Sequence, residues 1–193
     1  MLEAEKQYIK EAKKGDKDAF GALYDHYLPQ IYRFILFKVN RKAEAEDLCH
    51  EVFLSAWQNM PSYKNKGFPF SSWLYQISRN AVIDFYRTSK NNVQIELVDE
   101  NSIQLIQSSQ KELDTTLEME MVRKCLSRIR PDYQDLIIMR FIEEMENSEI
   151  AAALGKSEGA VRLMQHRALK DLKEIYEQNH GIPLENEQHD NYA

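Results

Sequence analysis

The chain reads as all-α: two small helical domains joined by a flexible linker, the second containing a helix-turn-helix. Three observations carry this reading. Gly occurs only 6 times and Pro 5 times in 193 residues, too few turn-formers for a sandwich, a barrel or a β-meander. Apolar residues recur at three- and four-residue steps over most of the length, as amphipathic helices require. From Asn91 to Asp114 that periodicity lapses into Gln, Ser, Asn, Asp and Glu with scattered Val, Ile and Leu. Such a composition suits a linker, and a stretch this long would be anomalous inside one compact domain.

The elements follow in order. Phe20, Leu23, Tyr24, Tyr27, Ile31, Phe34 and Ile35 form the first stripe. Asp16 or Asp18 is its start signal after Gly15, and Pro29 predicts a kink or a break within it. Ala45, Leu48, Cys49, Val52, Phe53, Ala56 and Trp57 form a second stripe, with Glu44, Asp47, Glu51 and Gln58 opposite. Asn59 to Pro69 holds Pro61, Gly67 and Pro69 and reads as a loop. Ser71 or Ser72 caps the next helix, whose stripe is Trp73, Leu74, Ile77, Ala81 and Phe85 and which ends near Thr88 to Asn92.

Beyond the linker, Leu117, Met121, Val122, Cys125, Leu126 and Ile129 share a stripe. Pro131 suits a first helical position, and Leu136, Ile137, Arg140 and Phe141 belong to the helix it opens. Glu144 to Asn147 is a break. Ile150, Ala151 and Leu154 make a short helix stopped by Gly155; Ser157 caps the last helix, through Val161, Met164, Ala168, Leu169 and Leu172. The polar tail from Asn179 is expected to be disordered.

Composition also excludes. A net charge of −6 with 29% charged and 43% hydrophobic residues describes a soluble globular chain. So few glycines argue against a Rossmann or P-loop phosphate site. Cys49 and Cys125 lie far apart, with no CxxC pair. Met1 to Asp16 mixes Glu and Lys without an apolar core, so no signal peptide is expected. Ile31 to Val39, interrupted by Arg33 and Lys38, is too short for a membrane span. A cytosolic, reduced protein without membrane insertion is expected. No catalytic constellation, metal-ligand cluster or cofactor motif appears.

Three segments carry chemistry. Asn147 to Leu172 has the helix-turn-helix pattern: short helix, Gly turn, Ser cap, second helix. Between Lys156 and Lys173, five bases face two acids, against the acidic trend of the chain. At about 100° per residue, Val161, Met164, Ala168 and Leu172 share one face, while Arg162, Leu163, His166, Arg167 and Lys170 fan across the other. Such a face suits a major groove, where Arg bonds guanine and Leu163 meets a thymine methyl. A helical hairpin with a solvated basic face fits the same residues. The second segment, Tyr63 to Arg87, interleaves Tyr63, Phe68, Phe70, Trp73 and Tyr75 with Lys64, Lys66, Arg79, Asn80 and Arg87. Aromatics stack bases and cations hold phosphate in single-strand binding, although Phe70 and Trp73, each taken alone, suit a core better than a base platform. The third is the acidic face of Asp47 and Glu51, one helical turn apart, which suits solvation or a protein contact.

Together these motifs resemble the extracytoplasmic-function group of bacterial sigma factors, in the sigma-70 family. Gly15-Asp16 with Ala19-Phe20 is similar to that family's first helix. Ala45-Glu46-Asp47-Leu48, Glu51-Val52-Phe53 and Ala56-Trp57 resemble its polymerase-binding helix. Phe70, Trp73-Leu74-Tyr75, Ile77, Arg79-Asn80-Ala81 and Ile83-Asp84 resemble its promoter-melting segment. Tyr133, Leu136, Arg140-Phe141, Glu149-Ile150-Ala151, Leu154-Gly155, Ser157, Gly159-Ala160-Val161-Arg162 and His166-Arg167-Ala168 resemble its helix-turn-helix. The likeness runs from about Lys13 to Leu172 apart from the linker. Leu163, Met164 and Gln165 depart from the family's usual recognition helix, and Glu146-Asn147-Ser148 from its usual approach to the helix-turn-helix.

The resemblance implies residues 1–90 as region 2, 91–113 as linker, 114–178 as region 4 and 179–193 as a disordered tail. It implies core RNA polymerase as partner through Asp47 and Glu51. It implies minus-ten promoter DNA at Tyr63, Lys64, Lys66, Phe68, Phe70, Trp73, Arg79, Asn80 and Arg87. Minus-thirty-five DNA falls to Ser157, Arg162, Leu163, His166, Arg167 and Lys170. An anti-sigma factor is a further implied partner; no cofactor is. A stand-alone two-domain DNA-binding regulator is the alternative, but it has no need of the Asp47/Glu51 face. An enzyme is a distant third.

Overall fold

The structure, a computed structural model, describes residues 4–39, 41–65, 67–92 and 122–180. Among these, all regular structure is helical: α1 (Glu5–Ala12), α2 (Lys17–Lys38), α3 (Lys42–Asn59), a 3-10 turn (Met60–Ser62) and α4 (Phe70–Asn92). Residues 122–126 are helical. Then come α5 (Pro131–Ile137), running into a π-helical turn (Ile138–Ile142), α6 (Asn147–Leu154) and α7 (Glu158–His180). The linker predicted over 91–113 lies outside the described residues beyond Asn92, as do Lys66, Leu117 and Met121, and the tail after His180.

Local chemistry explains the boundaries. Asp16 Oδ1 accepts from the amides of Asp18 and Ala19, each at 3.0 Å, and opens α2. Pro29 lies inside α2, yet the helix continues through it rather than breaking there. Pro29 and Asp25, the residue whose carbonyl loses its amide partner, are both exposed, so water can take the missing bond. The helix expected to start from Ser71 or Ser72 begins at Phe70 instead. Ser72 is buried, and the acceptor at this helix start is remote: the Phe70 amide donates to Glu5 Oε1 at 3.3 Å. At α6, Glu149 Oε2 accepts from the Glu146 amide at 2.8 Å, a reciprocal cap that does without Ser or Thr. Gly155 ends α6 at φ +64°, and the Lys156 amide closes onto the Ala151 carbonyl at 2.9 Å. Ser157 Oγ accepts from the Ala160 amide at 3.2 Å and starts α7.

The first domain packs α1 to α4 around Leu23, Ile31, Phe34, Ile35, Val52 and Leu74; the second buries Leu126, Leu136, Ile138, Met139, Ile150 and Val161. The two are in contact, α4 against α6 and α2 against the π turn. That turn carries a wide-ring bond, Glu143 amide to Ile138 carbonyl at 3.0 Å. Some stripe residues are not core. Leu169 is 42% exposed, and Phe141 and Val122 are exposed too. In α1, by contrast, Ile9 and Ala12 are buried, so the N-terminal segment does have an apolar face.

Candidate nucleic-acid interface

Helix α7 has a dry side and a wet side. Val161 and Ala168 are buried and Met164 and Leu172 half-buried, packed on α5 and α6. Arg162, Leu163, His166, Arg167 and Lys170 are all exposed, as is Ser157 at the turn. Leu163, at 51% exposure, is an apolar tip between bases. Arg162 is 3.4 Å from Glu158 and Lys170 is 3.9 Å from Glu174, each one turn away along the exposed helix surface. Such exposed pairs are weak and release their cations to a stronger anion at little cost. This face can take phosphates and base edges together.

The loop between α3 and α4 is organised by its rings. Tyr63, Phe70 and Trp73 form a mutual cluster, with centroids 4.7–5.3 Å apart. Phe70 is only 1% exposed and Tyr63 is buried, so both act as packing residues here. Trp73 is half-buried. Phe68 is the loop ring turned outward, at 39% exposure, beyond a turn in which the Gly67 amide donates to Asn65 Oδ1 at 2.8 Å. Lys64, Asn80 and Arg87 are exposed, with Arg87 3.1 Å from Asp84. Arg79 is not turned to solvent: Nε lies 2.7 Å from Asp135 Oδ2 and Nη2 2.5 Å from Asp132 Oδ1. Burial draws its guanidinium pKa down, and these two carboxylates outweigh that and hold it above its usual value.

Asp47 and Glu51 project from α3 into a groove against α4, beside Glu44, Asp84, Asn80 and Phe85. Both are exposed. Acid from both helices, with Leu48, Val52 and Phe85 between, gives this groove an acidic and partly apolar lining.

The comparisons with known proteins agree with this layout. The family described as "Sigma-70 region 2" matches residues 23–92, and "Sigma-70, region 4" matches residues 119–172. The ECF RNA polymerase sigma factor BldN of Streptomyces coelicolor is 32% identical over 172 residues, 88% of this chain but only 64% of that longer protein. The ECF RNA polymerase sigma factor SigX of Bacillus subtilis is 30% identical over 168 residues, covering 83% of this chain and 85% of SigX. The chain belongs to the ECF family of RNA polymerase sigma factors. Its fold is also that of CnrH, solved in complex with the cytosolic domain of CnrY, at a TM-score of 0.70 with 21% identity, covering 92% of this chain and 99% of that one.

In this sigma factor the residues expected to bind partners fall into three separate places rather than one. The acidic pair lies in the α3–α4 groove, the loop aromatics at the start of α4, and the basic fan on α7. The loop and the helix-turn-helix corner nevertheless share a cleft, lined by Tyr63, Lys64 and Trp73 on one side and by Gly155, Lys156 and Ser157 on the other. Sequence reading missed a set of ionic residues at the domain boundary. Lys38 Nζ lies 2.7 Å from Asp135 Oδ1, which makes Asp135 a shared partner of Lys38 and Arg79. Arg33 is bidentate to Glu143, at 2.7 and 2.6 Å. The signal was present: Arg33 and Lys38 interrupt an otherwise apolar stretch, and cations at such positions need anions.

The sigma factor has no group of three or more His, Cys, Asp or Glu placed to hold a metal among its described residues. Cys49 and Cys125 are free thiols, both buried; burial pushes the Cys49 thiol up to about 11. No described helix is long and apolar enough to cross a membrane.

Proposed function

We propose that this sigma factor directs core RNA polymerase to promoters through three surfaces: the acidic α3 face, the aromatic loop with α4, and the basic face of α7. Residues 1–90 serve as region 2, 114–178 as region 4, and 91–113 connect them. Asp47 and Glu51 meet polymerase. The loop and the exposed residues of α4 handle the minus-ten strand, and Arg162, Leu163, His166, Arg167 and Lys170 read the minus-thirty-five element, with Ser157 at the helix start. The protein works in the cytoplasm with polymerase, has no catalytic site of its own, and is held in check by an anti-sigma factor.

One observation carries the reading most strongly. An exposed fan of three bases, His166 and Leu163 sits on a helix set by a left-handed Gly155 turn and a Ser157 cap, in an otherwise acidic chain. Charge placed in this way on one helix face favours a polyanion. Reconstitution with core RNA polymerase, followed by run-off transcription on genomic fragments, tests it. Discrete start sites that require the chain support the reading; transcription no different from core enzyme alone overturns it.

A further inference from the structure

We infer that Glu5 and Lys13, at the two ends of α1, are positioning residues that hold both ends of the loop 63–70 and so set selectivity at the minus-ten element. This deepens the promoter reading above and rests on it. Lys13 Nζ donates to the Tyr63 carbonyl at 2.7 Å, where the loop begins. Glu5 Oε1 accepts from the Phe70 amide at 3.3 Å, where the loop ends and α4 starts. These partners lie 50 and 65 residues apart in sequence, so α1 bridges the loop as a splint of about 12 Å. Both lie outside residues 23–92, the span matched by the region 2 family.

The placement of Glu5 has an energetic meaning. A carboxylate only 8% exposed is costly unless hydrogen bonds replace its water. Its neighbours are the Phe70 amide and the Tyr27 hydroxyl, and burial followed by the charge of Glu5 drives the Tyr27 pKa far up. The carboxylate also faces a helix N-terminus, where the helix dipole favours negative charge. Between the two anchored ends, the Asn65–Gly67 turn projects Phe68 outward. With Tyr63 and Phe70 stacked edge-on at 5.3 Å, the loop is braced from inside as well. A base captured from the strand then meets a loop whose two ends are already held, and selectivity gains from such preorganisation.

The test uses the full chain with core polymerase and the promoter fragment transcribed by the wild-type holoenzyme. Single-base variants at the minus-ten and minus-thirty-five elements compete for binding. Glu5→Ala and Lys13→Met are expected to lose fivefold or more of the discrimination among minus-ten variants, and to keep minus-thirty-five discrimination within twofold. Glu5→Gln, which keeps a carbonyl acceptor, and Lys13→Arg are expected to restore most of it. Uniform weakening across all fragments would assign the residues to stability alone and overturn the inference. Hydrogen exchange in the free chain reads the clamp without DNA. Faster exchange of the Phe70 amide in Glu5→Ala supports it, and unchanged exchange overturns it, whatever becomes of the promoter reading. Faster exchange with unaltered minus-ten selectivity also overturns the positioning role. A wild-type chain that fails to direct polymerase overturns the promoter reading instead.

Discussion

Gly155 sets the corner of the helix-turn-helix, and its replacement isolates a purely backbone effect. It sits at φ +64°, and a Cβ added there would meet no heavy atom within 4 Å. No clash or lost packing therefore enters. What remains is the left-handed conformation, which costs an L-residue about 1–2 kcal/mol, offset by about 0.4–1 kcal/mol because alanine restricts the unfolded chain. Gly155→Ala should thus destabilise by about 1 kcal/mol, a fall in Tm of about 2–4 °C for a chain of this size. Gly155→Asn should cost less, since asparagine tolerates this region, and Gly155→Val more, since a β-branched residue does not. Thermal unfolding followed by far-ultraviolet circular dichroism orders the three. Well below the transition, Gly155→Ala should keep its minus-thirty-five preference, because the bond from Lys156 to the Ala151 carbonyl survives. A loss above about 10 °C for Gly155→Ala, or asparagine no better than valine, would refute the argument that conformation alone is at stake.

Further outcomes follow from the other surfaces. Asp47→Lys with Glu51→Lys should keep helicity, since exposed charges contribute only about 0–1 kcal/mol to folding, and should lose core-polymerase affinity in co-purification. Arg162→Ala should flatten preference at one base of the minus-thirty-five element by about 1–3 kcal/mol, whereas Lys170→Ala should weaken all sequences alike and lower the salt slope; competition among single-base variants separates them, and uniform weakening by Arg162→Ala would make it a phosphate anchor. Exchanging residues 63–70 for another family member's loop should change minus-ten preference and leave minus-thirty-five preference intact in the same competition. Burial raises the Cys49 thiol to about 11 from 9.0, so its contribution is complete below the unfolded pKa and is lost as pH rises from about 9 through 11. Urea titrations at the two ends of that window should show a fall in stability that is smaller by about 2 kcal/mol in Cys49→Ala, the buried phenols accounting for the rest.

What the sequence made legible was local. The Gly155 stop, the Ser157 cap and the Asp16 cap each depend on residues within five positions, and the structure places the first two as expected and chooses Asp16 over Asp18 for the third. The apolar stripes of α2, α3 and α4 likewise need only a helical period. Features made by distant residues were not legible. The start of α4 depends on Glu5, 65 residues away, so the nearby serines were the natural but mistaken choice. Periodicity marked Leu169 as apolar without showing that no described element covers it. Aromatic content alone could not divide Phe70, which packs inside, from Phe68, which faces out. The structure places the Arg79 guanidinium on Asp132 and Asp135, a pairing across two domains that no spacing rule reveals.

The ionic seam between the domains also says something about reach. Promoter elements whose names place them about 25 base pairs apart span about 85 Å of duplex at 3.4 Å per base pair, and domains in contact cannot occupy both. The roughly thirty residues between Asn92 and Val122 extend to at most about 100 Å, so the connection is long enough for the domains to part. The seam suits parting as well. Charges that separate recover their water, and a buried ion pair stands close to break-even against solvation, so the ion pairs oppose parting less than the apolar residues that join the two cores. X-ray scattering should therefore give a larger radius of gyration for Asp135→Arg than for the wild-type chain; an unchanged radius would contradict this view of the seam. Parting of the domains then frees the Arg79 guanidinium from Asp132 and Asp135 and returns all three charged groups to water.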